Sequence, residues 1–261
     1  MLVIGLTGGI ACGKSTVSRR LKNHHKIPIV DADKLARDVV QPGEDAYNQI
    51  VEHFQPKIHH LVLADNQLDR SALGKYVFEN PEELKVLNGI THPAIRYKIF
   101  STVFDYYIRG YSMCVVDVPL LFETNLDVYC GLVITVVCKN EIQLQRLLAR
   151  NSDMTLEEAE NRINSQISND ERVERSDFVL RNNFDIPSLY SQIDTVMEKV
   201  RPSFVRTALE YFPPFGVVSA ASVVISKRFL IRWRRKRSKH IKATEVEEDG
   251  EGDVYRPIET N

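Results

Sequence analysis

An α/β fold, a parallel sheet flanked by helices, is predicted for this chain by three observations. Short β-branched or apolar runs recur along it, helical patterns alternate with them, and a glycine-rich turn follows directly on the first run. The runs are Leu2 to Thr7, Ile27 to Val30, Met113 to Val118, Leu132 to Cys138 and Phe178 to Leu180. Runs this short and this apolar read as parallel strands buried on both faces. Between the first two, Ser15 to His24 carries no helix breaker, and after the fourth Leu144, Leu147 and Leu148 mark one helix face. About 80 residues separate the second run from the third, far more than an ordinary crossover needs. Leu73, Val77, Leu84, Leu87 and Ile90 recur there at helical spacing, which predicts an inserted helical region over about 60–105. Thr155 to Glu158 matches the S/T-x-x-E capping box and predicts a further helix running to about Ser168.

Composition bounds the rest. With 261 residues, 43% hydrophobic and 26% charged, the chain is neither disordered nor a small disulfide scaffold. One main domain is expected over 1–200, where Arg201-Pro202 precedes a change of character, followed by an extension over 201–261. Lysine and arginine total 34 against 35 acids, a net charge of -1, so no nucleic-acid partner is expected. The four cysteines, Cys12, Cys114, Cys130 and Cys138, lack metal-ligand spacing, and three lie in or beside apolar runs, which suits a reducing compartment. The short run at the N-terminus does not make a secretory leader, and no stretch reaches about 18 uninterrupted apolar residues. A cytoplasmic location is expected.

The chemistry is carried by Gly8-Gly9-Ile10-Ala11-Cys12-Gly13-Lys14-Ser15, which matches G-x-x-x-x-G-K-[ST] after a predicted strand and opening a predicted helix. Gly8 and Gly13 let the backbone close around phosphates, and the amides with the helix N-terminus supply positive charge. Lys14 would reach the β- and γ-phosphates of ATP, and Ser15 would offer a hydroxyl to Mg²⁺. This phosphate loop by itself leaves kinase, GTPase and ATPase open. The second run ends in Asp31-Ala32-Asp33, at the strand edge where open α/β sheets bind ligands. An aspartate there could take the proton of an acceptor hydroxyl, whereas the plain alternative is a turn capping the next helix. Two apart in extended chain, Asp31 and Asp33 would share a face. Asp117 ends the third run as a metal-holding carboxylate would, and it is equally placed as a turn former or a partner of Ser15. Arg146 and Arg150 stand four apart on a helix, as do Arg162 and Gln166 on the next, so each pair faces one way, toward phosphate or toward solvent.

Over residues 1 to about 200 the chain resembles the dephospho-CoA kinases. The likeness lies in Leu6-Thr7-Gly8-Gly9-Ile10 running into Gly13-Lys14-Ser15-Thr16, Asp31-Ala32-Asp33, Gln41-Pro42-Gly43, Leu68-Asp69-Arg70, Thr91-His92-Pro93-Ala94-Ile95 and Pro119-Leu120-Leu121-Phe122-Glu123. It continues through Arg146-Leu147 to Arg150, Arg162-Ile163 to Gln166, and Asp177-Phe178-Val179-Leu180 to Asn182. The resemblance implies a P-loop NTPase-type fold with a helical acceptor-binding insertion and a mobile lid over about 140–170. It also implies ATP-dependent phosphorylation of the ribose 3′-hydroxyl of dephospho-CoA, the last step of coenzyme A synthesis. Asp33 then becomes the catalytic base, assisted by Lys14 and Arg146. Gly8 to Thr16, Arg146, Arg150 and Asn182 would bind ATP, with Gln166 on the lid. His92, Leu120, Phe122 and Glu123 would join Asp33 on the acceptor side, and Ser15 with Asp117 would hold Mg²⁺. Another small-molecule kinase and a nucleotide switch are the rival classes, although the Asn-Lys-x-Asp element that reads guanine is absent.

Two features depart from the bacterial pattern. Cys12 lies inside the phosphate loop beside Lys14 and a helix N-terminus, which predicts easier thiolate formation and redox sensitivity, against the alternative of an inert small residue. The extension, typical of a fungal-like member, joins aromatic residues and a short apolar run to a tract from Lys227 to Lys242 with nine basic side chains and no acid, followed by an acidic tail. Trp233 within that tract predicts attachment to an anionic membrane surface through 211–242, tethering the enzyme to an organelle. Docking to another enzyme of the CoA pathway, a nuclear-import or RNA-binding basic tract and a plain solvated tail are the alternatives.

Overall fold

The computed structural model describes residues 1–151, 153–202, 218 and 221–229. Five strands, β1 (Leu2–Gly8), β2 (Ile29–Asp31), β3 (Met113–Asp117), β4 (Leu132–Val137) and β5 (Phe178–Arg181), form one sheet in the order β2-β3-β1-β4-β5. Every pairing is parallel. The expected runs therefore all became strands. β1 lies at the centre because both of its faces are covered, and from Ile4 to Gly8 every residue is buried. β2, at the edge, is only three residues long and ends on the exposed Asp31.

The period of two sends alternate side chains to opposite faces, and each face has its own core. On one, Leu6, Val115, Ile134 and Val136 pack against Val17 and Leu21 of α1 (Lys14–Asn23) and Leu189, Ile193 and Met197 of α9 (Ile186–Val200). On the other, Val30, Val116 and Val133 pack against Ile99 of α5 (Pro81–Ile108) and against Leu121 and Phe122. Burying both faces is what makes the strands continuously apolar.

The helical insertion begins later and ends slightly later than the sequence predicts, with its two helices spanning 70–108. α2 (Ala32–Asp38) and α3 (Asp45–Phe54) precede it, and α4 (Arg70–Glu79) and α5 complete it. A third core, in which Ile50, Phe54, Ile58 and Leu61 meet Leu68, Leu73 and Val77, joins α3 to α4 away from the sheet. The stretch between them is not helical; it turns back so that Val62 bridges Leu68 antiparallel. Asp69 caps α4 by accepting from the amides of Ser71 and Ala72. Asn80 ends α4, and Pro81, whose missing N–H is no loss at a helix start, opens α5. Leu84 faces solvent, because this break resets the helical phase that the spacing assumed.

Beyond β4 the chain forms α6 (Asn140–Arg150), α7 (Leu156–Asn164) and α8 (Asn169–Arg175). The capping box is present in full: Glu158 N–H donates to the Thr155 hydroxyl at 3.2 Å, and Thr155 N–H to the Glu158 carboxylate at 2.9 Å. The helix it opens stops at Asn164, short of Ser168. Ser168 instead caps α8 by accepting from the Glu171 amide. Among the described residues no helix is long and apolar enough to cross a membrane. The membrane-surface segment expected over 211–242 lies outside the described residues except for 218 and the helical stretch 221–229, where Lys227 pairs with Asp177 at 2.7 Å.

Candidate functional site

β1 and β3 are neighbours whose onward connections leave in opposite directions, one toward β2 and the other toward β4. Such a switch point opens a crevice at the strands' C-terminal ends. Into it falls the glycine-rich turn. Gly8 cannot carry a side chain, since a Cβ would stand 2.6 Å from the Val136 carbonyl of β4. Gly13, with φ of 97°, sits at the N-cap of α1 in the left-handed region, and a Cβ there would strike the Asn182 amide.

The loop is tied from several sides. Asn182, just past β5, donates its amide to the Cys12 carbonyl at 2.8 Å, and its own carbonyl accepts from Arg146 of α6 at 3.0 Å. The Ile10 amide donates to Gln166 at 3.2 Å. Lys14 forms an ion pair with Asp117. Burial pushes the Asp117 carboxyl above its ordinary value despite the Lys14 ammonium and the Ser18 hydroxyl beside it. Asp31, its register partner on β2, pushes the same way.

Asp31 and Asp33 do not both lie in extended chain, since Asp31 ends β2 and Asp33 is already helical. Asp31 is the N-cap of α2 and accepts from the Lys34 amide at 3.0 Å, while Asp33 lies in the first turn of that helix. The capping alternative thus holds for Asp31. Asp33 lines a cleft of about 210 Å³ with His92 and Arg96 of α5 and with Pro119, Leu120 and Thr124. The Thr7 hydroxyl of β1 donates to the Pro119 carbonyl at 2.8 Å and so anchors that loop to the sheet.

Phe122 and Glu123 do not line this cleft. Phe122 is buried in the core with the Arg175 guanidinium over its ring, and Glu123 accepts from Arg172 at 3.3 Å. Nor do Arg162 and Gln166 share a helix face, since α7 ends before Gln166. Arg150 is exposed in the last turn of α6, whereas Arg146 donates to the Asn182 carbonyl.

A second and larger cleft, about 730 Å³, lies between the phosphate loop and α6 to α8, lined by Gly9, Cys138, Gln143, Gln166, Asn169 and others. Several of its determinants escaped the sequence. Gln143 is buried and accepts from Asn169, which also donates to the Cys138 carbonyl. Arg172 is wholly buried, giving hydrogen bonds to Glu123 and Gln166 while its Nε and Nη1 find no partner among the described residues. Burial lowers its pKa, against the pull of Glu123. Its run, Asp-Glu-Arg-Val-Glu-Arg, reads as a solvated helix and holds no signal of burial. Cys12 also corrects an expectation: it is wholly buried, and the Cys138 thiol and burial push its own thiol up, so it does not ionise easily.

The family model described as dephospho-CoA kinase matches residues 2–188. A dephospho-CoA kinase of Saccharomyces cerevisiae is 58% identical over 238 residues, covering 91% of this chain and 99% of its own. That alignment is longer than the described core, so it extends into the C-terminal segment. A dephospho-CoA kinase of Oceanobacillus iheyensis is 41% identical over 198 residues, 76% of this chain and 97% of its own. Among solved structures, a dephospho-CoA kinase from Campylobacter jejuni matches with a TM-score of 0.60 and 28% identity, covering 76% of this chain and 96% of that one.

Proposed function

Because the chain belongs to the dephospho-CoA kinase family, we propose how its own residues divide the work of that reaction. The reaction is ATP-dependent phosphorylation of the ribose 3′-hydroxyl of dephospho-CoA, giving CoA and ADP, the final step of coenzyme A biosynthesis.

The observation that carries the assignment is that both requirements of phosphoryl transfer meet at one edge of the sheet. The glycine turn at the end of β1 supplies amides, and Asp33, just past the end of β2, lines a separate cleft with His92. Asp33 accepts the proton of the attacking hydroxyl, which raises that oxygen's nucleophilicity as the bond to phosphorus forms. His92 and Leu120 hold the acceptor beside it. The amides from Gly9 to Ser15, with Lys14, take the ATP phosphates, and Asn182 holds the loop in shape from below.

Lys14 must then exchange its carboxylate partner for phosphate oxygens. Asp117 is suited to that exchange, because burial works against its charged form while phosphate oxygens offer Lys14 another anion. Ser15 and Asp117 are oxygen donors, a set that fits a hard cation, and they would hold Mg²⁺. The ion would offset the charge of the phosphates. Gln166 occupies the Ile10 amide here; yielding it to phosphate couples ATP binding to movement of α6 to α8, with Arg146 following the nucleotide. Closing that lid keeps water from competing with the acceptor hydroxyl.

A coupled ADP-release assay with ATP, Mg²⁺ and dephospho-CoA, run beside acceptor-free and adenosine monophosphate controls, tests this division. Acceptor-dependent ADP release is expected, with CoA identified by mass, and Asp33→Asn should lower turnover by about 10²-fold or more. Unchanged turnover in that variant would remove Asp33 as the base.

A further inference from the structure

The family's reaction has no use for a thiol, yet two cysteines meet at the centre of this site. Cys12 in the phosphate loop and Cys138 at the end of β4 are 126 positions apart, and their Sγ atoms lie 3.3 Å from each other. We infer that Cys12 and Cys138 form a modification site, a dithiol that a hydroperoxide converts to an intramolecular disulfide tying the phosphate loop to β4.

The two sulfurs are unequal, and the inequality sets the order of events. Cys138 lines the large cleft beside the loop, whereas Cys12 is wholly buried. A small oxidant therefore meets Cys138 first. The hydrogen bond from Cys12 and then the Arg146 guanidinium hold the Cys138 thiol below its ordinary value, while Cys12 is pushed up. Cys138, 5% exposed on the cleft wall against 0% for Cys12, is thus the one that becomes thiolate, and the thiolate is the reactive form. Cys114 and Cys130 lie buried, and burial pushes each up to about 12, so they serve as unreactive internal references.

The chemistry balances in two steps. Cys138 thiolate attacks one peroxide oxygen; the O–O bond breaks, the sulfur becomes a sulfenic acid, and the other oxygen leaves as alcohol or water after taking a proton. Cys12 sulfur then attacks the Cys138 sulfur, the S–O bond breaks, and water leaves with the Cys12 proton as the disulfide forms. Two thiols give up two electrons and the peroxide accepts them. Bonding draws the sulfurs from 3.3 Å to about 2 Å. Cys12 sits between Ala11 at φ 58° and Gly13 at φ 97°, both left-handed, so the loop has little freedom to absorb the shift. The amides around it move instead, and Arg146 loses the thiolate beside it.

This chemistry goes beyond the roles assigned to Asp33 and His92 and does not depend on them. The test treats the full-length reduced protein with hydrogen peroxide at neutral pH, then digests it without reductant for mass spectrometry. ADP release is measured on the same sample before and after dithiothreitol. Expected are linked peptides carrying Cys12 and Cys138, lighter by two hydrogens, and activity about tenfold lower that returns on reduction. Cys138→Ser should form no link, and its ratio of peroxide-treated to reduced activity should stay near one. Cys12 and Cys138 remaining reduced, or ending singly oxidised, overturns the disulfide. A complete link that leaves the ratio at one overturns its coupling to the phosphate loop. Both readouts stand even where Asp33 or His92 has another role, since one is a mass and the other a ratio within one sample.

Discussion

The phosphate loop and the cleft proposed for the acceptor lie at the C-terminal ends of the strands and are built in opposite ways. The loop is held by backbone geometry and by long-range bonds: Asn182 to Cys12 spans 170 positions, Gln166 to Ile10 spans 156, and Lys14 to Asp117 spans 103. Asp33, His92, Arg96 and Leu120, by contrast, are exposed side chains carried on helices and on the loop after β3. One side is shaped before its ligand arrives; the other presents chemistry and leaves shape to the acceptor. Amides that must point at phosphate are useful only if nothing lets them turn away, whereas a hydroxyl needs one base and a few contacts to direct it.

The sharpest way to break this contrast is Gly13→Ala, set against Gly43→Ala. Both glycines have positive φ, 97° and 95°, so both variants carry the left-handed cost of about 1–2 kcal/mol. At Gly43 nothing lies within 4 Å, while at Gly13 the new methyl meets Asn182. Gly13→Ala should lower turnover by about 10²-fold or more and raise the KM for ATP, and Gly43→Ala should lose stability alone. Equal kinetic losses in the two would mean that strain, not the Asn182 contact, shapes the loop.

A smaller effect is expected on the other side. His92→Gln keeps a hydrogen-bonding group on an exposed helix position, so thermal unfolding should not move. The KM for dephospho-CoA should rise by about fivefold to tenfold, the worth of one hydrogen bond, with the KM for ATP unchanged. A matching rise for ATP would show that the two sides are not separately built.

The least effect belongs to a polar contact outside both regions. Arg20 and then His25 hold the Asp194 carboxyl below its ordinary value. With a depressed folded pKa, its stabilisation is present above the unfolded value and fades as pH falls through the folded one. The group is more than a third exposed, so solvent screens the pair, and Asp194→Asn should cost under about 1 kcal/mol near pH 7 and nothing in strong acid. A larger loss in acid than at neutrality would reverse the assigned sign.

How far the sequence reached follows the same division between local and distant causes. The five strands, the glycine turn and the Thr155 capping box were legible, because a short continuous apolar run, a glycine-rich turn and a hydroxyl three residues ahead of a glutamate are all local signals. The break at Asn80 and the end of α7 at Asn164 were less so, since apolar spacing runs smoothly across both. The resemblance put Phe122 and Glu123 on the acceptor side, and the packing of α8 shows that the one is core and the other is a partner of Arg172. Arg172 itself carries no mark of burial.

The sequence by itself determined the parallel sheet, the phosphate loop and the place of Asp33 just past the second strand, through apolar runs and turn chemistry that need no distant partner. Tertiary structure alone decided that Asn182 supports Cys12, that Asp117 faces Lys14 and that Cys138 meets Cys12. Those meetings depend on which strands lie next to each other and in what register, and that is settled by burying both faces of the sheet at once, a property of no single segment.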